Sequence, residues 1–210
     1  MTKIILSGKL GKMEQAIARL AKNDSDLEIV DDIKDADIFV DFSGADPSIN
    51  NLRNALNAKI PVVMGSTGHS ENQLEEIKSA SAKVPIIFAP NMSVGVNVMF
   101  DLIKRASVSF GNEYKVAIEE THHAQKKDKP SGTAKKMVEM VGRPVPDVTS
   151  FREGKVVGEH EITFSSPYEV LKISHSALSR DVLAAGALKA VKWIVGKKPG
   201  LYDMKDVLGL

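Results

Sequence analysis

No cysteine occurs in the chain. Disulfide staples, a thiolate nucleophile and a cysteine-held metal are therefore excluded, and a reducing, cytoplasmic setting is the expectation. An excess of either charge is missing as well. Against 28 lysines and arginines stand 27 acidic residues, which leaves no global field to gather nucleic acid or an anionic membrane surface. Any cationic chemistry has to be local. No stretch approaches the roughly 20 apolar residues that span a bilayer. The opening MTKIILSGKLG lacks the apolar run of a signal peptide and passes straight into a strand pattern. Internal repeats and low-complexity segments are absent too. What is present is a chain of 210 residues, 43% of them hydrophobic, enough for one large domain or two small ones with a real core.

The first half alternates short β-rich runs with helical patterns. KIILS, LEIV, DIFVDFS, PVVMGS and PIIFAP are separated by EQAIARLAK, INNLRNALNAK and ENQLEEIKSASAK. That order is the signature of parallel βαβ units. Most of the strand runs are apolar nearly throughout, as strands covered on both faces are. The expected fold is α/β, a doubly wound parallel sheet of Rossmann-like type to about residue 91, with ligands beyond the carboxyl ends of its strands. Those ends carry Gly8, Ser43, the Gly65-Ser66-Thr67 turn and Asn91. After Asn91 the texture changes. Residues 92–110 read as a long, mostly apolar helix, followed by strand-like YKVAIEETHHA and helical AKKMVEMVG. Pro144 and Pro146 mark a connection, and GEHEITFSS and YEVLKISHSAL alternate like a half-exposed antiparallel pair. This is a second, α+β domain. SRDVLAAGALKAVKWIVGKK then returns to a helical period that can pack back on the first domain, with Gly196 and Pro199 as stop signals.

KIILSGKLGKM places Gly8 and Gly11 between a strand and a helix, where a dinucleotide's pyrophosphate meets backbone N–H groups and the helix dipole. The full G-x-G-x-x-G fingerprint is missing: Leu10 stands at the middle glycine, and Lys12, Met13 and Glu14 follow Gly11. A cofactor site and a plain structural turn both remain open. An acidic residue about 20 positions on often reads the ribose hydroxyls. Asp31 and Asp32 lie in that window without a neighbouring arginine, which leans towards NADH over NADPH. The register of Asp31 is open, because almost no connection separates the second and third strands, and the acidic run reads equally as a solvated loop.

Residues 120–134, ETHHAQKKDKPSGTA, concentrate the chemistry. On a strand His122 and His123 point to opposite faces, so the pair is disfavoured as a zinc site. One of them can face a cleft and titrate near neutrality as a proton donor. Lys126 follows in a loop, where Lys127, Asp128 and Lys129 read as solvated charges. Pro130 precedes a helix start that Ser131 or Thr133 can cap, and Gly132 allows close backbone approach. Hydroxyls, N–H groups and a lysine together make a cradle for carboxylates; a simply capped helix is the other reading. It is no P-loop, since the lysines precede the glycine.

The pattern E-T-H-H-x-x-K-x-D-x-P-S-G-T-A closely resembles the signature of the dihydrodipicolinate reductase family. DIFVDFSGADP, VVMGSTG, IIFAPNMSVGVNVM, VVGEHEITF, ISHSALSRD and GLYDMKDVLGL resemble further segments of that family in the same order, so the likeness spans essentially the whole chain. It implies an N-terminal Rossmann-like, dinucleotide-binding domain, residues 1–92, completed by residues 181–210. The inserted residues 93–180 would form the substrate-binding domain and build a homotetramer. It implies His122 as general acid/base and Lys126 as second proton donor. His123, Lys126, Ser131, Gly132 and Thr133 would hold the carboxylates of a cyclic diacid. Gly8, Gly11, Lys12 and Met13 would form the pyrophosphate turn and Asp31 the ribose contact. Gly65, Ser66, Thr67, Ala89, Pro90, Asn91 and Met92 would line the nicotinamide end. The activity implied is reduction of 4-hydroxy-tetrahydrodipicolinate in the diaminopimelate route to lysine, with NADH or NADPH. Partners beyond the small molecule and further copies of the chain, nucleic acid and membrane included, are not expected. Leu10 and Glu14 depart from the family, which usually has glycine at both places. A carboxylate at 14 puts negative charge near a diphosphate and implies weakened cofactor affinity. A reductase-like binding protein and a different Rossmann oxidoreductase stand as the competing readings.

Overall fold

The computed structural model describes residues 1–8 and 11–210. The elements run β1 (Thr2–Leu6), α1 (Lys12–Ala21), β2 (Leu27–Ile29), β3 (Ile38–Asp41), α2 (Ala45–Ala58), β4 (Val62–Met64), α3 (Glu71–Ala80), β5 (Pro85–Phe88) and α4 (Val94–Phe110). They continue with β6 (Lys115–His122), α5 (Gly132–Val141), β7 (Asp147–Arg152), β8 (Gly158–Ser165), β9 (Val170–Ala177), α6 (Asp181–Ile194), β10 (Gly200–Tyr202) and α7 (Met204–Leu208). These fall into two compact units, Met1–Val94 with Asp181–Leu210, and Gly95–Arg180.

The first unit is a six-stranded sheet in the order β10-β5-β4-β3-β1-β2, parallel throughout. β3 and β4 are buried at every residue, because apolar layers cover both faces. One layer joins α1, α6 and α7 around Ile17, Val191 and Val207. The other joins α2 and α3 around Leu52 and Ile77. The small residues of α6 let it press against the chain leaving β5: a Cβ at Gly186 would stand 1.7 Å from the Met92 carbonyl oxygen, so only glycine fits. Three-residue β10 was not expected from the sequence. GLY has no run of its own, and it becomes a strand by pairing with β5.

The second unit is a four-stranded sheet, β7-β6-β8-β9. β6 and β8 alternate in burial. Their inward residues Val116, Ile118, Ile162 and Phe164 pack beneath α4 and α5, the pattern of a sheet covered on one face. β8 and β9 pair antiparallel, as their alternation predicts. β7 was read only as connection after the prolines, yet it lies parallel to β6 with Arg152 in register with His122. Among the described residues no helix is long and apolar enough to cross a membrane.

Candidate active site

A period of two places Glu120 and His122 on the inward face of β6. The Glu120 side chain is wholly buried. Arg152 lays its guanidinium fork on that carboxylate, Nη1 to Oε2 at 3.0 Å and Nη2 to Oε1 at 2.9 Å. His122 Nδ1 meets Oε2, and the Ser131 backbone N–H donates to Oε1 at 3.2 Å. Burial alone would raise the pKa of Glu120. The Arg152 fork, with hydrogen bonds from Ser150 and His122, outweighs it and lowers the pKa to about 2. Glu120 is therefore a fixed anion that only accepts, so Nδ1 of His122 carries the proton and Nε2 is the basic nitrogen. Nε2 lies beside Gly158, where a Cβ would approach it to 3.1 Å.

Arg152 also reaches the loop after β6. Its Nε donates to the Lys126 carbonyl at 3.2 Å and its Nη2 to the Asp128 carbonyl at 2.5 Å. One guanidinium thus fixes both the carboxylate that orients His122 and the backbone that carries Lys126. The Lys126 ammonium pairs with Asp128 Oδ1 at 2.8 Å and stays partly exposed. Burial lowers the His122 pKa, Glu120 opposes that, and the charges of Lys126 and Arg152 lower it further. Burial is the largest of these, so the net shift is downward from the ordinary histidine value. His160, opposite Glu120 on β8, stands edge-on to His122 with ring centroids 5.0 Å apart. Its Nε2 is 3.4 Å from Ser131 Oγ. Burial, then the charge of His122, pushes the His160 pKa down to about 4.

Ser131 is the N-cap of α5, its Oγ accepting from the Ala134 N–H at 3.1 Å. Gly132 and Thr133 form the first turn, and nothing stands within 4 Å of a Cβ built on Gly132. Open backbone at a helix N-terminus next to a lysine loop suits an anionic oxygen. His123 Nδ1 is buried without a hydrogen-bond partner among the described residues. No group of histidines and carboxylates there could hold a metal ion.

In the first unit, Gly8 lies past the tip of β1, nothing among the described residues stands within 4 Å of its Cβ position, and Gly11 is the N-cap of α1. Gly8, Glu14, Arg19 and Asp31 line a cavity of about 550 Å³. At the ends of β3 and β4, buried Asp41 accepts from Ser43 Oγ at 2.8 Å and Asn51 Nδ2 at 2.7 Å. Its Oδ2, and Oγ of buried Ser66, have no partner among the described residues. Such polar atoms at the carboxyl edge of a parallel sheet fit a nucleotide cofactor. Gly65 donates its N–H to the Asp41 carbonyl. Lys12, Thr67 and Pro90 are exposed, and Met13 is half-buried against the core. Asn91 Oδ1 accepts from the Ser93 N–H at 2.9 Å. Ala89 and Met92 are buried in the core, so what they offer a ligand is backbone. Leu10 lies outside the described residues.

The family model described as dihydrodipicolinate reductase, C-terminus, matches residues 95–208, and its N-terminal counterpart matches residues 30–92. The chain belongs to the dihydrodipicolinate reductase family. The 4-hydroxy-tetrahydrodipicolinate reductase of Caldanaerobacter subterraneus subsp. tengcongensis is 36% identical over 248 aligned residues, covering 99% of this chain and 98% of its own. That of Syntrophus aciditrophicus is 42% identical over 200, covering 84% and 75%. The dipicolinate-bound dihydrodipicolinate reductase of Paenisporosarcina sp. TG-14 shares the fold, with a TM-score of 0.82, 21% identity and 98% of each chain covered. The family's N-terminal match starts at residue 30, so the glycine turn lies ahead of it.

The structure ties His122 and Ser131 directly to one carboxylate, Glu120, and the Lys126 backbone to it through Arg152. Sequence reasoning gave no role to Glu120, Arg152 or His160. Glu120 had a usable signal, its i, i+2 spacing from His122. Arg152 and His160 had none, because register across strands brings them in.

Proposed function

We propose that this chain reduces 4-hydroxy-tetrahydrodipicolinate to tetrahydrodipicolinate, with NADH or NADPH as hydride donor. The observation that carries the reading is the Glu120 hub, which binds His122, the Lys126 loop and the Ser131 cap into one preorganised group. Family membership and the names of the relatives support the reaction. Dipicolinate, a ring with two carboxylates held by the Paenisporosarcina relative, is the kind of ligand such a cradle suits.

On this reading Ser131, Gly132 and Thr133 take one substrate carboxylate at the N-terminus of α5, with His123 and Lys126 alongside. When bound, a reduced nicotinamide would supply hydride, which the substrate would accept at C4 once its 4-hydroxyl has left as water. Negative charge then builds towards the ring nitrogen. The Lys126 ammonium meets it electrostatically and serves as the second proton donor beside His122. His122 serves as the acid/base that exchanges a proton through Nε2, its Nδ1–H held by Glu120. Gly8, Gly11, Lys12 and Met13 would hold the diphosphate and Asp31 the ribose. Gly65, Ser66, Thr67 and residues 89–92 would hold the nicotinamide end. Residues 1–92 with 181–210 then form the dinucleotide domain, and 93–180 the substrate and oligomerisation domain of a cytoplasmic homotetramer.

The test is a steady-state assay on freshly generated substrate with each dinucleotide in turn. Oxidation of NADH or NADPH that depends on substrate and is inhibited by pyridine-2,6-dicarboxylate is expected. No substrate-dependent oxidation of either would overturn the reading.

A further inference from the structure

The N-cap glycine of α1, Gly11, is covered by a carboxylate of the chain's own. Glu14 is the third residue of α1 and is 5% exposed. Its side chain folds back over Gly11. Oε1 accepts from Ser7 Oγ at 3.0 Å, and Oε2 lies 2.0 Å from the point where a Cβ on Gly11 would stand. A side chain at residue 11 would evict it. Ser7 Oγ in turn accepts from the Phe42 N–H at 3.3 Å, which orients the hydroxyl to give its proton to Glu14. The carboxylate sits at a helix N-terminus, where N–H groups and the helix dipole favour negative oxygens. It also lines the cavity shared with Gly8 and Asp31.

We infer that Glu14 is an internal occupant of the diphosphate position and that it sets the affinity of this chain for its dinucleotide. The inference rests on the reading of the first unit as a dinucleotide site. A carboxylate and a diphosphate cannot share one helix N-terminus, since their negative charges repel. The cofactor binds by turning Glu14 out, and apparent affinity falls by the fraction of molecules in which the side chain is already displaced. Ser7 acts as the latch that holds the occupied state.

Calorimetric titration of the full chain with NADH and with NADPH tests this in the wild type, Glu14→Ala and Glu14→Gln, with thermal unfolding as the check of folding. Glu14→Ala is expected to tighten the Kd at least tenfold. Glu14→Gln removes the charge but keeps the volume and is expected to tighten it about threefold. If Glu14→Ala does not unfold cooperatively, Glu14→Gln decides. Values within a factor of two of wild type overturn the role of Glu14 and leave the dinucleotide site standing. No binding of either dinucleotide to folded wild type and variants overturns both.

Discussion

The two units each bury a carboxylate beside a helix N-terminus, and the two are held in opposite ways. Glu120, beside α5, is gripped by the Arg152 guanidinium, by His122 and by the Ser131 N–H. Glu14, inside the first turn of α1, receives a hydroxyl from Ser7. A buried anion with a full guanidinium fork is a fixed part of the fold, because removing the partner strands a charge. Among the described residues the Glu14 carboxylate has a hydroxyl for its partner, and such a bond contributes about 1 kcal/mol net. One carboxylate builds a site; the other occupies one.

The largest test of that contrast is Arg152→Met, which leaves Glu120 buried without its cation. It should lower stability by about 3–5 kcal/mol in denaturant unfolding, and Glu120→Gln in the same chain should restore part of the loss. A cost under about 1 kcal/mol would erase the distinction. Next, His122→Ala and Lys126→Ala should each lower turnover by about 10²-fold or more, while the Kd for the dinucleotide stays that of the wild type. Near-normal turnover in both would remove the second unit's site.

Acid should also separate the units. His160 has a folded pKa of about 4, below its unfolded value of 6.5. The unfolded chain therefore takes up a proton first, and stability falls as pH drops from 6.5 towards 4. The loss is about 2 kcal/mol at pH 5, and it should be absent in His160→Asn. Glu120, with a folded pKa of about 2 against 4.5 unfolded, contributes stability that is complete above about 4.5 and disappears as pH falls towards 2. Urea midpoints at pH 7, 5 and 3 would show both steps.

The smallest effect compares two serine caps. Ser70 caps α3 in a capping box with Gln73, and Ser131 caps α5. Replacing either by alanine should cost about 1 kcal/mol, but only Ser131→Ala should also raise KM for the diacid. Equal KM values would reduce Ser131 to a cap.

The parallel sheet was legible because strands buried on both faces read as apolar runs; DIFVDFS and PVVMGS announce themselves. β7 and β10 were not, since DVTSFR and GLY carry no such run and gain their character from β6 and β5. The stretch from His122 to Thr133 was legible because its chemistry is contiguous. Arg152 lies 32 residues from Glu120, and nothing local marks it. Glu14 could be read as a charge near a diphosphate, but its burial against Gly11 could not.

By itself the sequence determined the kinds of group available: imidazoles, a loop lysine, a capping serine and a glycine turn with one carboxylate too many. Those are properties of covalent structure, fixed before the chain folds. Only the tertiary structure decided which nitrogen of His122 is basic, which cation neutralises Glu120 and where the Glu14 carboxylate rests. Protonation and pairing depend on burial and on neighbours delivered by strand register, and neither exists until the sheets have formed.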